Sequence, residues 1–420
     1  MFKVISGLAV ALLISSTSFA ITIDEAVDAA LKNNFEILAS QHKVESSKYN
    51  VASAKTPYLP QLDAKYAYVK SSEKAYGTIE DEYSTISLTL GYNLFNGFGD
   101  MFNVKAAKSA YSAAKHNTQA IREDITLSVK KAYIDVLAAQ DGIVVAEKAI
   151  QLLKNQLKDI KLSYEVGYVA KNEVLKVESE LASSQQNVIS AASAYKVAIF
   201  NLEKLTGADI ANDEKFATLT DYTGSISDIE SLKADMMKNR SEIKYLTELI
   251  NAQKYSIKAN KSKFYPKVNL GAAYNTYGED FSPSDRGYAY DNETTLSLTV
   301  DLNIFDGFNK YNSTKSLQAE KMYMMSMLRN TKASMTLQLK NSVENLDLAH
   351  ASLKASEKEL ASAQENYRIT QNQFKQKVAT NTDLMDARVM LTRAENTYNN
   401  AKFNIHRALA DIERITEKKL

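Results

Sequence analysis

Three hydrophobic patterns follow one another along this chain, and the series runs twice. Residues 24–56 place apolar side chains at helical spacing with no Pro or Gly, until Pro57 and Pro60 end the run. Period two then takes over. Leu62, Ala64, Tyr66 and Tyr68 interleave with Asp63 and Lys65, and Ile86, Leu88, Leu90, Tyr92 and Leu94 interleave with Thr85, Ser87, Thr89, Gly91 and Asn93. The second series sets Leu296, Leu298, Val300, Leu302 and Ile304 against Ser297, Thr299, Asp301 and Asn303. Runs of about ten residues fit a tilted strand that crosses a bilayer with one face to lipid and one to water. A hairpin on a soluble sheet alternates in the same way, so the pattern alone leaves both open.

From Phe98 and Phe308 onward the spacing is that of long helices, and residues 308–420 contain neither Gly nor Pro. A seven-residue register joins Val129, Val136, Ile143, Ile150, Leu157 and Tyr164 in the first series, and Leu339, Leu346, Leu353, Leu360, Tyr367 and Phe374 in the second. The returning helix keeps it with Leu384, Leu391, Tyr398, Ile405 and Ile412, and Ala387, Ala394, Ala401 and Ala408 sit three residues after the first four. Large residues alternating with Ala predict close, left-handed coiled-coil packing, reversed at Val166-Gly167 and Lys377-Val378.

The two series are one unit repeated. Lys32-Asn33, Glu36-Ile37, Tyr58 and Pro60 match Lys238-Asn239, Glu242-Ile243, Phe264 and Pro266 at an offset of 206. Thr85–Phe98 then matches Thr295–Phe308 at an offset of 210, which holds as far as Leu202–Thr206 against Ile412–Thr416. The length change falls in the polar segments 69–84 and 275–294, which read as loops. The expected organisation is an export signal over 1–20, an upper helix over 21–60, a β-hairpin over 61–97 and a helical hairpin over 98–207. A linker over 208–227 leads to the second upper helix (228–266), hairpin (267–307) and helical hairpin (308–420).

Length constrains the assembly. The outgoing helix 100–164 would measure about 98 Å, against about 50 Å for 24–56 and about 52 Å for the returning helix 173–207. Two half-length helices end to end therefore match one full-length helix, and each unit predicts two parallel columns. Four strands cannot close a barrel in lipid, where each unpaired N–H or C=O costs several kcal/mol, so the chain is expected to oligomerise. Two copies supply eight strands and three supply twelve. Three also supply twelve columns, which at about 9 Å spacing enclose a bore on the order of 24 Å.

Composition then removes alternatives. Fifty-one basic against 50 acidic side chains give no electrostatic reason to expect nucleic acid. Without Cys there is no disulfide, thiol nucleophile or Cys zinc site, and the four His, at 42, 116, 350 and 406, lack metal-site spacing. No phosphate loop or nucleophile–base pairing appears, so neither an enzyme nor a cofactor is expected. Lys3, the apolar run Val4–Ile14 and Ser18-Phe19-Ala20 read as a cleaved export signal too short to span a bilayer, and no later stretch offers eighteen uninterrupted apolar residues. Glu357-Lys358-Glu359 and Glu417-Lys418-Lys419 read as solvated faces.

In order and spacing the chain resembles the TolC-like outer membrane factors of Gram-negative bacteria. The resemblance rests on the signal, the tandem repeat, Pro57-Tyr-Leu-Pro60-Gln-Leu62, the Leu94-Phe95-Asn96-Gly97 and Ile304-Phe305-Asp306-Gly307 strand exits, and the turns Tyr164-Glu-Val-Gly167 and Asn381-Thr-Asp383-Leu-Met-Asp386-Ala387. It implies an α+β membrane protein: a homotrimer with a twelve-stranded transmembrane β-barrel in the outer membrane and a long coiled-coil helical barrel in the periplasm. The implied partners are outer membrane lipid, a periplasmic adaptor (membrane fusion) protein and an inner-membrane RND or ABC transporter, for efflux or type I secretion. By resemblance Asp383 and Asp386 ring the constriction at the channel entrance; Asp383 could equally open a helix, as Asn381-Thr382-Asp383 is good N-terminal chemistry. The family's lock at this turn joins a Tyr and an Arg to polar residues of the first returning helix. Here Phe374 and Ala379 occupy those positions, facing Asn172 and Glu173, so closure is expected to rest on packing, with Lys171 or Lys377 as substitutes near the turns at Gly167 and Lys377. Phe95, Phe98, Phe305 and Phe308 suit an aromatic girdle or strand–helix packing. The rivals are a periplasmic adaptor, which lacks its lipoyl-type β-domain here, and a soluble coiled-coil scaffold, which leaves the signal and hairpins unexplained.

Overall fold

The computed structural model describes residues 20–72, 82–211, 214–220, 222, 224, 228–284 and 290–419; the expected export signal, apart from Ala20, lies outside them. The first repeat runs α1 (Ile23–Asn33), α2 (Phe35–Ser53), β1 (Gln61–Lys70), β2 (Glu82–Asn96), α3 (Gly99–Glu165) and α4 (Lys171–Thr206). The second runs α5 (Ile229–Asn239), α6 (Ser241–Lys261), β3 (Lys267–Gly278), β4 (Asn292–Asp301), α7 (Asn309–Lys375) and α8 (Asn381–Thr416). Helices α3 and α7 have 67 residues each and α4 and α8 have 36 each, so the long pair measures about 100 Å and the short pair about 54 Å. Both α2 and α4 pack on α3, while α6 and α8 each lie between α3 and α7. The wall is therefore four columns wide: α2 with α4, then α3, then α6 with α8, then α7.

Where the pattern predicts one upper helix over 24–56, the chain makes two, and the second repeat breaks at the matching place. Asn34 leaves helical geometry (ψ 126°), and its Oδ1 accepts from the Glu36 and Ile37 N–H groups at 2.9 and 3.4 Å. A short amide side chain that competes for backbone donors in this way caps a new helix. Its Nδ2 donates to the Leu205 carbonyl at 2.9 Å, which joins the start of α2 to the end of α4. Released from the column, α1 packs across α3 and α4. Its Ala26 and Ala30 meet Val129, Tyr133, Ile199 and Leu202 in a core that Phe216 of the inter-repeat segment completes. Tyr133 is fully buried and its hydroxyl donates to the Ile21 and Ala217 carbonyls, 2.7 and 2.8 Å away; burial pushes its pKa up to about 12. That segment is thereby pinned halfway down α3.

At the second break Arg240 replaces Asn34, and charge replaces the amide. Arg414 is buried and reaches Asp124 of α3 at 2.7 Å and Glu242 of α6 at 2.6 Å. Glu417 accepts from the N–H and the hydroxyl of Ser241 at 2.9 and 2.7 Å, and its side chain is 7% exposed. The expectation of a solvated Glu417-Lys418-Lys419 face is thus wrong at Glu417, because this carboxylate caps the N-terminus of α6 in the role that Asn34 plays for α2. Further down, the α3–α8 seam carries Lys131–Asp411 and Arg407–Asp135 pairs, with Lys130–Glu413 and Lys148–Glu395 beside them.

The four strands form one antiparallel sheet in the order β1-β2-β3-β4. The ladder aligns Leu62 with Leu90, Leu90 with Ala272 and Ala272 with Leu296, and likewise Leu270 with Leu298. One face is therefore continuously apolar, and it is bare: Leu62, Leu296, Leu298 and Val300 are 71, 76, 65 and 62% exposed. On the other face Thr89 aligns with Asp63 and Ala273, and Ser87 donates to Asn275 at 2.6 Å. A bulge between Asn93 and Phe95 shifts the register so that Phe95 joins Val268 on the apolar face. Strand β4 stops at Asp301, short of the alternation through Ile304, because its last ladder partner in this chain is Lys267. Phe95 stacks edge-on with Phe98 (5.2 Å) and Phe305 with Phe308 (5.5 Å). Both pairs form at turns where Gly-Phe adopts two successive left-handed residues, with φ of 58° and 65° at Gly97 and Phe98. Gly97 has no substitute there, since a Cβ would lie 2.4 Å from the Ser262 carbonyl oxygen.

Candidate functional site at the helical tip

Far from the sheet, both helical hairpins turn in the same way. Gly167 donates to Tyr164 and Tyr168 to Ser163; Lys377 donates to Phe374 and Val378 to Gln373. These paired bonds form a Schellman motif with a left-handed residue at its centre. Gly167 takes that conformation freely (φ 78°), whereas Lys377 (φ 65°) carries about 1–2 kcal/mol of strain. Its ammonium lies 3.2 Å from the centroid of the Tyr168 ring on the other hairpin. Of the two lysines near the turns, Lys377 thus makes a cation–π contact, whereas the Lys171 side chain makes no hydrogen bond or ion pair among the described residues.

Asp383 caps α8. Its Oδ2 accepts from the Thr380 N–H and hydroxyl at 2.8 and 2.7 Å, and Thr380 returns the bond to the Asp383 N–H at 3.2 Å. These bonds from Thr380 hold the carboxyl below the usual carboxylate range. The cap is Thr380 and not Asn381. One turn on, Asp386 is exposed on the same flank of the helix.

Asn381 instead joins the two hairpins. It is buried, its Oδ1 accepts from Gln156 of α3 at 2.7 Å, and its Nδ2 donates to Glu173 of α4 at 3.0 Å. Lys176 and Asn381 together hold the Glu173 carboxyl below the ordinary range. Asn172 lies beside it, 3.5 Å from the Glu173 Oε1. Two turns along α8, Arg388 is 3% exposed and donates to Glu180 of α4 at 2.8 Å. Phe374 packs with Met385 against Leu153, Ile160, Val174 and Val177 of the first hairpin. Ala379 forms only a backbone bond, to the Gln373 carbonyl at 3.3 Å. Near Phe374 and Ala379 the polar bonds between the hairpins thus come from Asn381 and Arg388 of α8; sequence reasoning reached Asn381 only as N-terminal chemistry and Arg388 not at all. A signal was present: Asn381 and Arg388 match Lys171 and Glu178 of the first repeat, so the two copies differ in charge where they meet.

An open sheet with a bare apolar face thus stands above paired columns of helix. No described helix is long and apolar enough to cross a membrane. The chain belongs to the outer membrane efflux protein family, whose model matches residues 26–208 and 235–416, one match per repeat. It is 24% identical over 403 residues to outer membrane protein TolC of Vibrio cholerae, covering 93% of this chain and 89% of that one. It is also 24% identical over 294 residues to outer membrane efflux protein BepC of Brucella suis, covering 68% of this chain and 61% of the relative. Alkaline protease secretion protein AprF of Pseudomonas aeruginosa is 22% identical over 412 residues, covering 94% of this chain and 84% of AprF. Among solved structures, the Campylobacter jejuni CmeC outer membrane channel superposes with a TM-score of 0.81 at 16% identity, covering 94% and 85% of the two chains. The outer membrane protein VceC of Vibrio cholerae gives 0.79 at 16%, covering 94% and 96%. The family consists of channels, not enzymes; it places the sheet in the outer membrane and the helices in the periplasm, and the adaptor and scaffold readings fall away.

Proposed function

We propose that three copies of this chain close a twelve-stranded barrel over a twelve-column tunnel, a passive exit duct for an efflux pump or a type I secretion system. A periplasmic adaptor and an inner-membrane RND or ABC transporter supply recognition and energy. The observation that supports it most is the open sheet: β1 and β4 are edges, and in hydrocarbon each must find a partner. The internal repeat supplies the template. The β2–β3 seam within the chain, carried over by the repeat offsets, sets β4 of one copy against β1 of the next. Leu298 then faces Tyr68 and Asn303 faces Asp63, and a bulge at Ile304 brings Phe305 to Leu62. The same rule gives the uncovered Gly307 (φ 67°) the carbonyl neighbour that Gly97 already has. The relatives' names, TolC, AprF and toluene efflux pump protein TtgF, support both export modes.

The natural chain has no Cys, which makes the test direct. Asp63→Cys with Asn303→Cys should yield three copies joined in a ring that reductant releases, because facing strand residues lie within disulfide reach. Thr299→Cys in place of Asn303→Cys, four residues out of register, should not link. Absence of any oligomer would end the duct reading. In the same assembly Asp383 and Asp386 of three copies converge at the tip, where crowded carboxylates attract cations. Asp386→Asn is expected to weaken block by multivalent cations in planar-bilayer recordings; unchanged block removes the ring assignment.

A further inference from the structure

We propose that the seam between α3 and α6, just beneath the sheet, is a binding site for the phosphate headgroup of an anionic phospholipid in the periplasmic leaflet. Charge gives the first indication. In a chain that is almost neutral overall, the segments on the helical side of the sheet (46–62, 97–117, 251–267 and 302–318) carry twelve Lys and two Asp. Both acids are engaged: Asp100 accepts from Asn93 and Asn96 at 2.6 and 3.1 Å, and Asp306 accepts from the Lys310 N–H at 2.9 Å.

Position gives the second. The bulge puts Phe95 on the apolar face of the sheet, and Phe98 stacks on Phe95. Phe102 lies one turn below Phe98, to which its N–H is bonded, so it continues the lipid-facing side downward. Around the half-buried Phe102 ring sit two ammonium groups, Lys105 at 5.7 Å and Lys258 at 5.3 Å, and both lie 6.0 Å from the Tyr255 ring. Neither forms an ion pair with a carboxylate among the described residues. Two like charges on the same pair of rings, at the depth where acyl chains give way to headgroups, are completed by an anion that has its own hydrocarbon to lay along the Phe95–Phe98 pair. A phosphodiester lipid has both parts, and basic pockets between membrane elements recognise such headgroups.

The repeat supplies an internal control. At the seam between neighbouring copies, Lys105 and Tyr255 become Lys315 and Tyr49, but Phe102 becomes Asn312 and Lys258 becomes Ala52. One site per chain is therefore expected, not two.

The inference rests on the reading that the sheet's apolar face meets lipid. Native mass spectrometry of the detergent-purified full protein, titrated with phosphatidylglycerol or phosphatidylcholine, tests it, and the same spectra report the oligomer mass. Phosphatidylglycerol should saturate at one tight adduct per chain, with phosphatidylcholine far weaker. Lys105→Gln with Lys258→Gln should weaken that adduct by about 30-fold, roughly fivefold for each lysine, while Lys315→Gln leaves it unchanged. Equal binding of the two lipids, full affinity in the double variant, an equal loss in Lys315→Gln, or displacement by equimolar inorganic phosphate would overturn the site. Should any of these occur in a particle of trimer mass, the lipid site fails and the duct reading stands.

Discussion

Replacing Glu173 and Glu180 together with alanine is expected to open the helical tip, raising the open probability in planar bilayers by about tenfold or more. These two side chains are the α4 ends of the bonds from Asn381 and Arg388 that hold the second helical hairpin against the first. Loss of Glu180 matters more. Arg388 is buried, so its guanidinium would be left without a counter-charge, and it regains hydration only if α8 moves away from α4. A hydrogen bond to a charged group contributes about 1.5–3 kcal/mol; the lower end applies because Glu180 is partly screened by solvent, and that alone shifts a two-state equilibrium about tenfold. Acid should mimic the Glu173 part. Its folded-state pKa is depressed, so its contribution is complete above the ordinary carboxylate range and disappears as pH falls through the lowered value. Opening on acidification should accordingly be smaller in Glu173→Ala than in the native protein. Thr382→Ala removes an exposed hydroxyl at the same turn and serves as the control. If the double variant inserts normally and conducts as the native protein does, these bonds do not hold the tip shut.

The columns, the strands and the internal repeat were legible because each follows from a period: 3.6 or 3.5 for helix, two for strand, and about 208 for the whole unit. The break at Asn34 was not, since Asn33-Asn34 interrupts no hydrophobic spacing and acts only through one side chain capping the next turn. The end of β4 at Asp301 was equally hidden, as alternation persists to Ile304 whether or not a ladder partner is present. At the tip, Phe374 and Ala379 offered no hydroxyl and no charge, and the polar bonds that do join the hairpins link residues 208 apart in sequence. Comparing the two repeats position by position would have found these places. Where the copies must make the same contact they agree, as in Gly97-Phe98 and Gly307-Phe308; where each copy meets something different they diverge, in charge at Glu178 and Arg388 and in the shape of the cation at Lys204 and Arg414.

That last divergence carries the largest stability effect expected in the chain. Arg414→Ala should destabilise the folded subunit by about 3–5 kcal/mol, the range for breaking a buried charged network by removing one partner. Glu242 and Glu417 would be left facing one another beside a solvent-screened Asp124, with Arg240 as a neighbouring cation that is poorly placed to serve them all. Its guanidinium pairs with Glu242 at 2.9 Å and donates to the Arg414 backbone carbonyl, and burial lowers its pKa. Arg414→Lys should fall between native and Ala, because an ammonium keeps the charge but cannot fork to Asp124 and Glu242 together. The first repeat tolerates Lys204 at this position because an amide, Asn34, makes the junction there and leaves no cluster of carboxylates to neutralise. Lys358→Ala, on an exposed face, should change stability by less than about 0.5 kcal/mol. Denaturant midpoints followed by circular dichroism on the detergent-solubilised protein would rank the four. A loss below about 1 kcal/mol in Arg414→Ala would mean that Arg240 and solvent neutralise the cluster unaided, and that the end of α8 is held by the apolar packing of Ile412 and Ile415 with α5 and α7 rather than by charge.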